Sequence, residues 1–142
     1  MKKVNAKTRA YLAGHFDGEG NATFKLKERT NLKRVPFIQV EHTHYNTICI
    51  YHELYGGSIY ERTRGKNKKI YSWQLRECSD IKKFICDIIP FSVEKRQQLE
   101  ILLSFCVLRR KMNKKSHLSI GEIILLNNLY EMYLIVRRNG KI

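Results

Sequence analysis

Two carboxylates, Asp17 and Glu19, stand among three glycines at the end of an apolar run, in YLAGHFDGEG (11–20). They are conspicuous in a chain that carries 27 Lys and Arg against 13 Asp and Glu. If the run is a helix, both lie at its C-terminal end, where free carbonyls already carry partial negative charge. A divalent cation held by carboxylate and carbonyl oxygens would offset that repulsion. Such an ion can activate water and stabilise the leaving oxygen of a phosphodiester. The alternative is local: the carboxylates accept from nearby N–H groups, and the glycines only turn the chain. Other candidate ligands are sparse. His42 and His44 are two residues apart and could share a strand face, and no two of Cys49, Cys78, Cys86 and Cys106 are spaced as a metal-binding CxxC pair. No structural zinc is expected. Cys49, Cys86 and Cys106 lie in apolar surroundings, as buried free thiols do.

The elements that would position these groups follow from periodicity. A helix is predicted over 8–17, with Thr8 as N-cap and Tyr11, Leu12 and Phe16 at helical spacing, ended by Gly18 and Gly20. From Asn21 to Arg29 the period becomes two, with Ala22, Phe24 and Leu26 on one face. After a turn at Thr30–Leu32, a strand over 33–42 puts Ile38 and Val40 on one face and Phe37, Gln39 and Glu41 on the other. A helix over 45–55 (Ile48, Ile50, Tyr51 and Leu54 inward) closes at Gly56–Gly57. A second hairpin pairs 58–64 with 69–76 around the turn GKNKK (65–69). Helices follow over 79–89, with Ser79 as N-cap and Pro90 as the break, then over 92–110 and 119–138. The fold class is therefore α+β: one compact domain of 142 residues, with helices on one face of an antiparallel four-stranded sheet.

The formal net charge of +14 points to a polyanionic partner. The open sheet face would carry Thr23, Lys25, Lys27, Arg29, Lys33, Gln39, Tyr60, Arg62, Arg64, Ser72 and Gln74, with Lys66 in the second turn. Basic and amide side chains at alternate strand positions suit phosphates and base edges in a major groove that admits a β-ribbon. A nine-residue strand spans roughly 30 Å, and duplex DNA rises about 3.4 Å per base pair, so one sheet can follow about nine base pairs. The N-terminal MKKVNAKTRAYL lacks an apolar signal core and no segment reaches membrane-spanning length, so the expectation is a reduced, intracellular protein of cytoplasm or organelle, not secreted and with no membrane partner.

YLAGHFDGEG also resembles the LAGLIDADG homing endonuclease signature. Leu12, Ala13, Gly14, Asp17 and Gly20 match it directly; His15 and Phe16 fall at its variable apolar positions, Gly18 at a small one and Glu19 at the second acidic one. The family's element order, α-β-β-α-β-β-α, is the order read above. IYERTRGKNKKIYSWQL (59–75) and IIPFSVEKRQQLEILLSF (88–105) look like its second hairpin and following helices. The resemblance implies an intron-type homing enzyme with one motif per chain. It would be a homodimer, packed through Tyr11, Ala13, Gly14 and Asp17, cutting double-stranded DNA at a long near-palindromic site. It further implies that Glu19, with the Gly18 carbonyl, binds catalytic Mg²⁺, that Asp17 is more structural than catalytic, that His42 helps order active-site water, and that Gln39 contacts a base. Two departures stand out. Glu19 replaces the commoner Asp. In VEKRQQ the position of the family's usual basic residue aligns with Glu94, with Lys95 adjacent; a carboxylate cannot stabilise transition-state phosphate as a cation does, so Lys95 is the candidate. The alternatives are an RNA-binding maturase, with intron RNA as partner, and a DNA-binding protein that kept the fold and lost the chemistry.

Overall fold

The computed structural model describes residues 3–26, 34–112 and 118–139. Helix α1 (Ala6–Glu19) runs straight into strand β1 (Gly20–Leu26). Then come β2 (Arg34–His42), α2 (Tyr45–Tyr55), β3 (Ser58–Arg64), β4 (Lys68–Leu75), α3 (Cys78–Ile88), a single 3₁₀ turn at Ile89–Phe91, α4 (Arg96–Lys111) and α5 (Ile120–Asn139). The strands form one antiparallel sheet in the order β1-β2-β4-β3, the two hairpins joined along β2 and β4. The α+β class and the element order are those expected. The segment 27–33 lies outside the described residues, and with it the expected turn at 30–32 and the candidates Lys27, Arg29 and Lys33. Among the described residues no helix is long and apolar enough to cross a membrane.

The period-two pattern sets which face the helices cover. Ala22, Phe24, Ile38, Val40, Trp73 and Leu75 point inward and join Leu12, Phe16, Ile81, Phe84, Leu102 and Phe105 in one buried cluster. Phe84 is its hub, edge-on to Phe16, Tyr55 and Trp73 at centroid separations of 5.0–5.2 Å, geometries that aromatic quadrupoles favour. Two aromatic side chains of the core bond through their polar tips: Trp73 Nε1 donates to the Gly56 carbonyl at 2.7 Å, and Tyr133 Oη to the Ala22 carbonyl at 2.8 Å, tying α5 to β1.

Several boundaries differ from expectation. Asn5, not Thr8, caps α1: its Oδ1 accepts from the Thr8 N–H at 2.8 Å, one turn earlier. Ser79 lies inside α3, which starts at Cys78 with Glu77 as an N-cap that makes no side-chain bond. Ser119, expected as the first residue of the last helix, instead caps α5, and its reciprocal bonds with Glu122 form a capping box. In α2 the inward stripe is Ile48, Tyr51 and Tyr55, while Ile50, two residues round the helix from Ile48, is exposed. Gly56 and Gly57 adopt φ of 73° and 82° as the chain leaves α2. Of the cysteines expected inside, Cys106 is buried, Cys49 is half-buried and Cys86 is exposed.

The largest departure in α1 is that its glycines do not turn the chain. Gly18 is helical, and Gly20 is extended at φ −85° and ψ 166°. Gly20 is needed for space: a Cβ there would lie 2.1 Å from Cδ2 of the fully buried Phe16 ring. Gly20→Ala should therefore destabilise the protein by about 1–3 kcal/mol, the usual cost of overpacking, read by chemical denaturation. An unchanged midpoint would mean that Phe16 is free to move.

Candidate functional site

The two motif carboxylates part company. Asp17 is buried, and both its oxygens are engaged by a segment 75 residues later. Ser92 Oγ donates to Oδ1 at 2.7 Å, and the backbone N–H groups of Val93, Glu94 and Lys95 donate to the same carboxylate at 2.7, 3.2 and 3.2 Å. Burial by itself would raise the Asp17 pKa; the hydrogen bonds from Val93, Ser92, Glu94 and Lys95 outweigh it and hold the carboxyl below its ordinary value. The anion thus stands at the N-terminal end of α4, where orphan N–H groups and the helix dipole favour it. That is why α4 begins at Arg96 rather than at Ser92: residues 92–95 are folded around Asp17. The contact is reciprocal. Lys95 Nζ donates to the Asp17 carbonyl at 2.5 Å, placing a cation at the negative end of α1.

Glu19, two residues on, is exposed at that same end. The capping bond of α1 runs from the Gly20 N–H to the Phe16 carbonyl, so the Gly18 carbonyl lies past the last bonded turn. Lys95 is half-buried beside it, whereas Glu94 is exposed and contributes only its N–H to Asp17. On the β2 side, His42 Nδ1 accepts from the His44 N–H at 2.9 Å, which leaves its proton on Nε2 as a donor. His42 packs 5.7 Å, centroid to centroid, from His15. His15 was expected to occupy an apolar position. It is instead half-buried, stacked on Tyr11 at 6.1 Å, with Nδ1 2.7 Å from the Tyr51 hydroxyl. Burial first and then His42 hold its imidazole below the ordinary value, against the pull of Glu19. Tyr51 is pushed well above the usual phenol range, chiefly by burial, and keeps its proton.

Among the described residues no group of three His, Cys, Asp or Glu side chains converges. With Asp17 consumed internally, Glu19 is the carboxylate of the motif that remains open, and the Gly18 carbonyl is the oxygen beside it. Oxygen donors of this kind suit Mg²⁺. The expected interface set divides accordingly. Ala13 and Asp17 face their own core; Tyr11 is 55% exposed, and Gly14 and Gly18 have open space where a Cβ would stand.

The other half of the site is the open sheet face. Thr23 and Lys25 of β1, Gln39 of β2, Tyr60, Arg62 and Arg64 of β3, and Ser72 and Gln74 of β4 all lie on it, as their alternation demands. Their chemistry is not uniform. Arg62 pairs with Glu41 at 2.9 Å, an exposed pair of little energetic weight. Gln39 Nε2 and Gln74 Nε2 both donate to Ser72 Oγ, at 2.9 and 3.1 Å. Arg64, Lys66 and Lys68 line an open cleft of about 470 Å³ with Thr43, Gly65 and Ile70. That cleft has three cations and no carboxylate at the hairpin tip.

Solved structures share this architecture. The archaeal intron-encoded homing endonuclease I-Vdi141I, solved in complex with DNA, aligns with a TM-score of 0.73 over 91% of this chain and 83% of its own, at 16% identity. I-CvuI, solved with its DNA target in the presence of 2 mM Ca, aligns at 0.58 over 96% of this chain and 97% of its own, again at 16% identity. The LAGLIDADG homing endonuclease I-GzeII, solved with its DNA target, aligns at 0.66 over 92% of this chain but 44% of its own, at 15% identity. This chain has the LAGLIDADG homing endonuclease fold. No protein-family model matches the sequence, and no curated protein does either; at these identities the likeness is one of fold.

Within the LAGLIDADG fold, two residues near the site escaped the sequence reading. His15 and Glu19 are i and i+4 on α1, a spacing that puts them on one face, and a polar residue at an apolar motif position was the available signal. Arg76 follows β4 in the same parity as Ser72 and Gln74, and so projects from the open face. The contact that organises the motif end is Asp17 with residues 92–95. Asp17→Asn would turn an amide N–H₂ toward backbone donors and should destabilise the chain by about 2 kcal/mol or more. The lowered Asp17 pKa fixes the sign with pH: its stabilisation is full above the ordinary carboxylate range and is lost as pH falls through the lowered value. Acid titration of unfolding stability should therefore be flatter for the Asn variant. Equal acid slopes would remove Asp17 from the pH dependence.

Proposed function

We propose that the chain is a metal-dependent, sequence-specific DNA endonuclease that acts as a homodimer and makes a double-strand break at a long near-palindromic site. One observation carries the reading. The helix that ends in an exposed Glu19, beside Lys95, continues without a turn into the first strand of a sheet whose open face is basic. Carboxylate and base-reading surface are therefore held at fixed separation by continuous backbone. Structures of the same fold solved with DNA support duplex DNA as the partner.

Three features support two copies. One chain leaves one motif carboxylate open. Gly14 and Gly18 present a bare strip of α1 to solvent, where the backbone of another helix could approach closely. The fold unit fills nearly the whole I-CvuI chain but less than half of I-GzeII, as expected if a working assembly holds two such units. Paired across a two-fold axis, the two motifs would bring both Glu19 side chains together with the Gly18 carbonyls. A divalent cation bound there would neutralise phosphate charge and acidify a bound water.

The chain's own groups have separate tasks. Lys95 uses one N–H on the Asp17 carbonyl and keeps two donors for the scissile phosphate, which answers the departure at Glu94. The Nε2–H of His42 can donate to a water beside that phosphate. Tyr60, Gln39 and Arg62 face base edges, while the cleft of Arg64, Lys66 and Lys68 suits the DNA backbone. An open carboxylate at the same helix end as the Lys95 cation favours a cutting enzyme over an inactive binder or an RNA maturase.

The test uses a randomised library of long duplexes, with Mg²⁺ or with EDTA. The native protein should give cut ends only with Mg²⁺. Glu19→Gln should retain the same bound sequences while cutting at least about 100-fold more slowly. Retained cutting would remove Glu19 from the mechanism; binding without any Mg²⁺-dependent cutting by the native protein would replace the nuclease with a DNA-binding role.

A further inference from the structure

Phe37 lies on the open, polar face of the sheet, yet it is only 1% exposed. Two cations cover it. Lys25 Nζ stands 3.9 Å from the ring centroid, and Arg76 Cζ stands 4.9 Å from it. Register explains the assembly. Ile38 pairs with Leu75 across β2 and β4, so Phe37 and Arg76 are opposite one another at the next position, and Lys25 is diagonal on β1, two residues beyond the Thr23–Phe37 pair. The guanidinium is also held from its own strand: Arg76 Nη2 donates to Gln74 Oε1 at 3.0 Å. Gln74 in turn donates through Nε2 to Ser72 Oγ, which also accepts from Gln39. Ser72 is buried, and both its acceptor sites are occupied.

An exposed arginine is ordinarily a mobile side chain that must be ordered when it binds. Arg76 is already held over an aromatic ring and fixed at one nitrogen, and four of its five N–H donors remain. The adjacent amide is not free. Gln74 is engaged at both its oxygen and its nitrogen, so it is poorly placed to read adenine, which takes both amide groups at once. Nor can the ring serve as a stacking platform for an unpaired base, because the cations cover it.

We infer that Arg76 is a specificity-determining residue that reads a guanine in the major groove, with Phe37 and Gln74 as its positioning residues. Guanine O6 and N7 accept a forked pair of N–H donors, and Arg76 presents such a fork in fixed orientation. This inference rests on the DNA-reading role proposed above and replaces direct base contact by Gln74 with a supporting one.

The test is selection of bound sequences from a randomised duplex pool in Ca²⁺, so that cutting does not deplete them, for the native protein, Arg76→Ala, Arg76→Lys and Gln74→Ala. The native protein should enrich a guanine at one position of each half-site. Arg76→Ala and Arg76→Lys should lower that preference roughly ten- to hundredfold and leave the other positions intact. Gln74→Ala should weaken the same guanine position and no other. Phe37→Leu should do likewise, with its circular dichroism unchanged; if it fails to fold, the half-buried Gln74 variant, checked by the same circular dichroism, carries the positioning claim alone. An equal loss over all positions for Arg76→Ala would make it a phosphate contact and overturn the inference. So would an unchanged preference, while leaving the proposed function standing. Failure of the native protein to enrich any sequence would overturn both.

Discussion

The Asp17 carboxylate is the interaction on which the candidate site depends. Four donors from residues 92–95 converge on it, and Lys95 returns a bond to its carbonyl. The clamp joins the C-terminal end of α1 to the N-terminal end of α4 and satisfies both dipoles at once, an anion at one and a cation at the other. Glu19 and the first strand leave α1 within three residues of it. Their position relative to Lys95 is therefore set by this contact, not by a loop. An unpaired buried carboxylate would be costly, but each Asp17 oxygen has two donors, so the motif's first acid acts as a structural bolt and its second is left open.

The helix–strand junction follows the same logic. Gly20 is not a turn residue; its missing side chain makes room for Phe16, which in turn packs against Phe84. The core thus reaches the residue next to Glu19. On the far side of the sheet the open face is also partly preorganised. Phe37 gathers Lys25 and Arg76, and Ser72 gathers two glutamines. A surface already ordered has less to lose on binding, and rigid side chains discriminate better among base pairs than mobile ones.

Much of this was legible in the sequence. The alternation in 20–26, 34–42, 58–64 and 68–75 fixes the strand faces because a period of two leaves no freedom, and α2 and β3 have the expected bounds. The ends of helices were less legible. Thr8 and Ser79 are good caps in isolation, yet Asn5 supplied the first cap and α3 needed none from a side chain. The start of α4 depends on the contact of Asp17 with Ser92, 75 residues apart, and local patterns cannot see such a contact. His15 was read as filling an apolar position because the motif has an apolar residue there; its partners Tyr51 and His42 come from other elements. Gln74 lies on the open face as its parity demands, but its bonds to Arg76 and Ser72 are visible only in side-chain geometry.

The central claim is that two copies of this chain bring their Glu19 carboxylates to one duplex. The most direct measurement is the symmetry of the sequences that the protein cuts in Mg²⁺, taken with the mass of the protein–DNA complex in Ca²⁺. The account predicts two chains per duplex, a near-palindromic site, and one cut in each strand placed symmetrically about its centre. A single chain on the DNA, or cuts with no two-fold relation to the bound sequence, would contradict it.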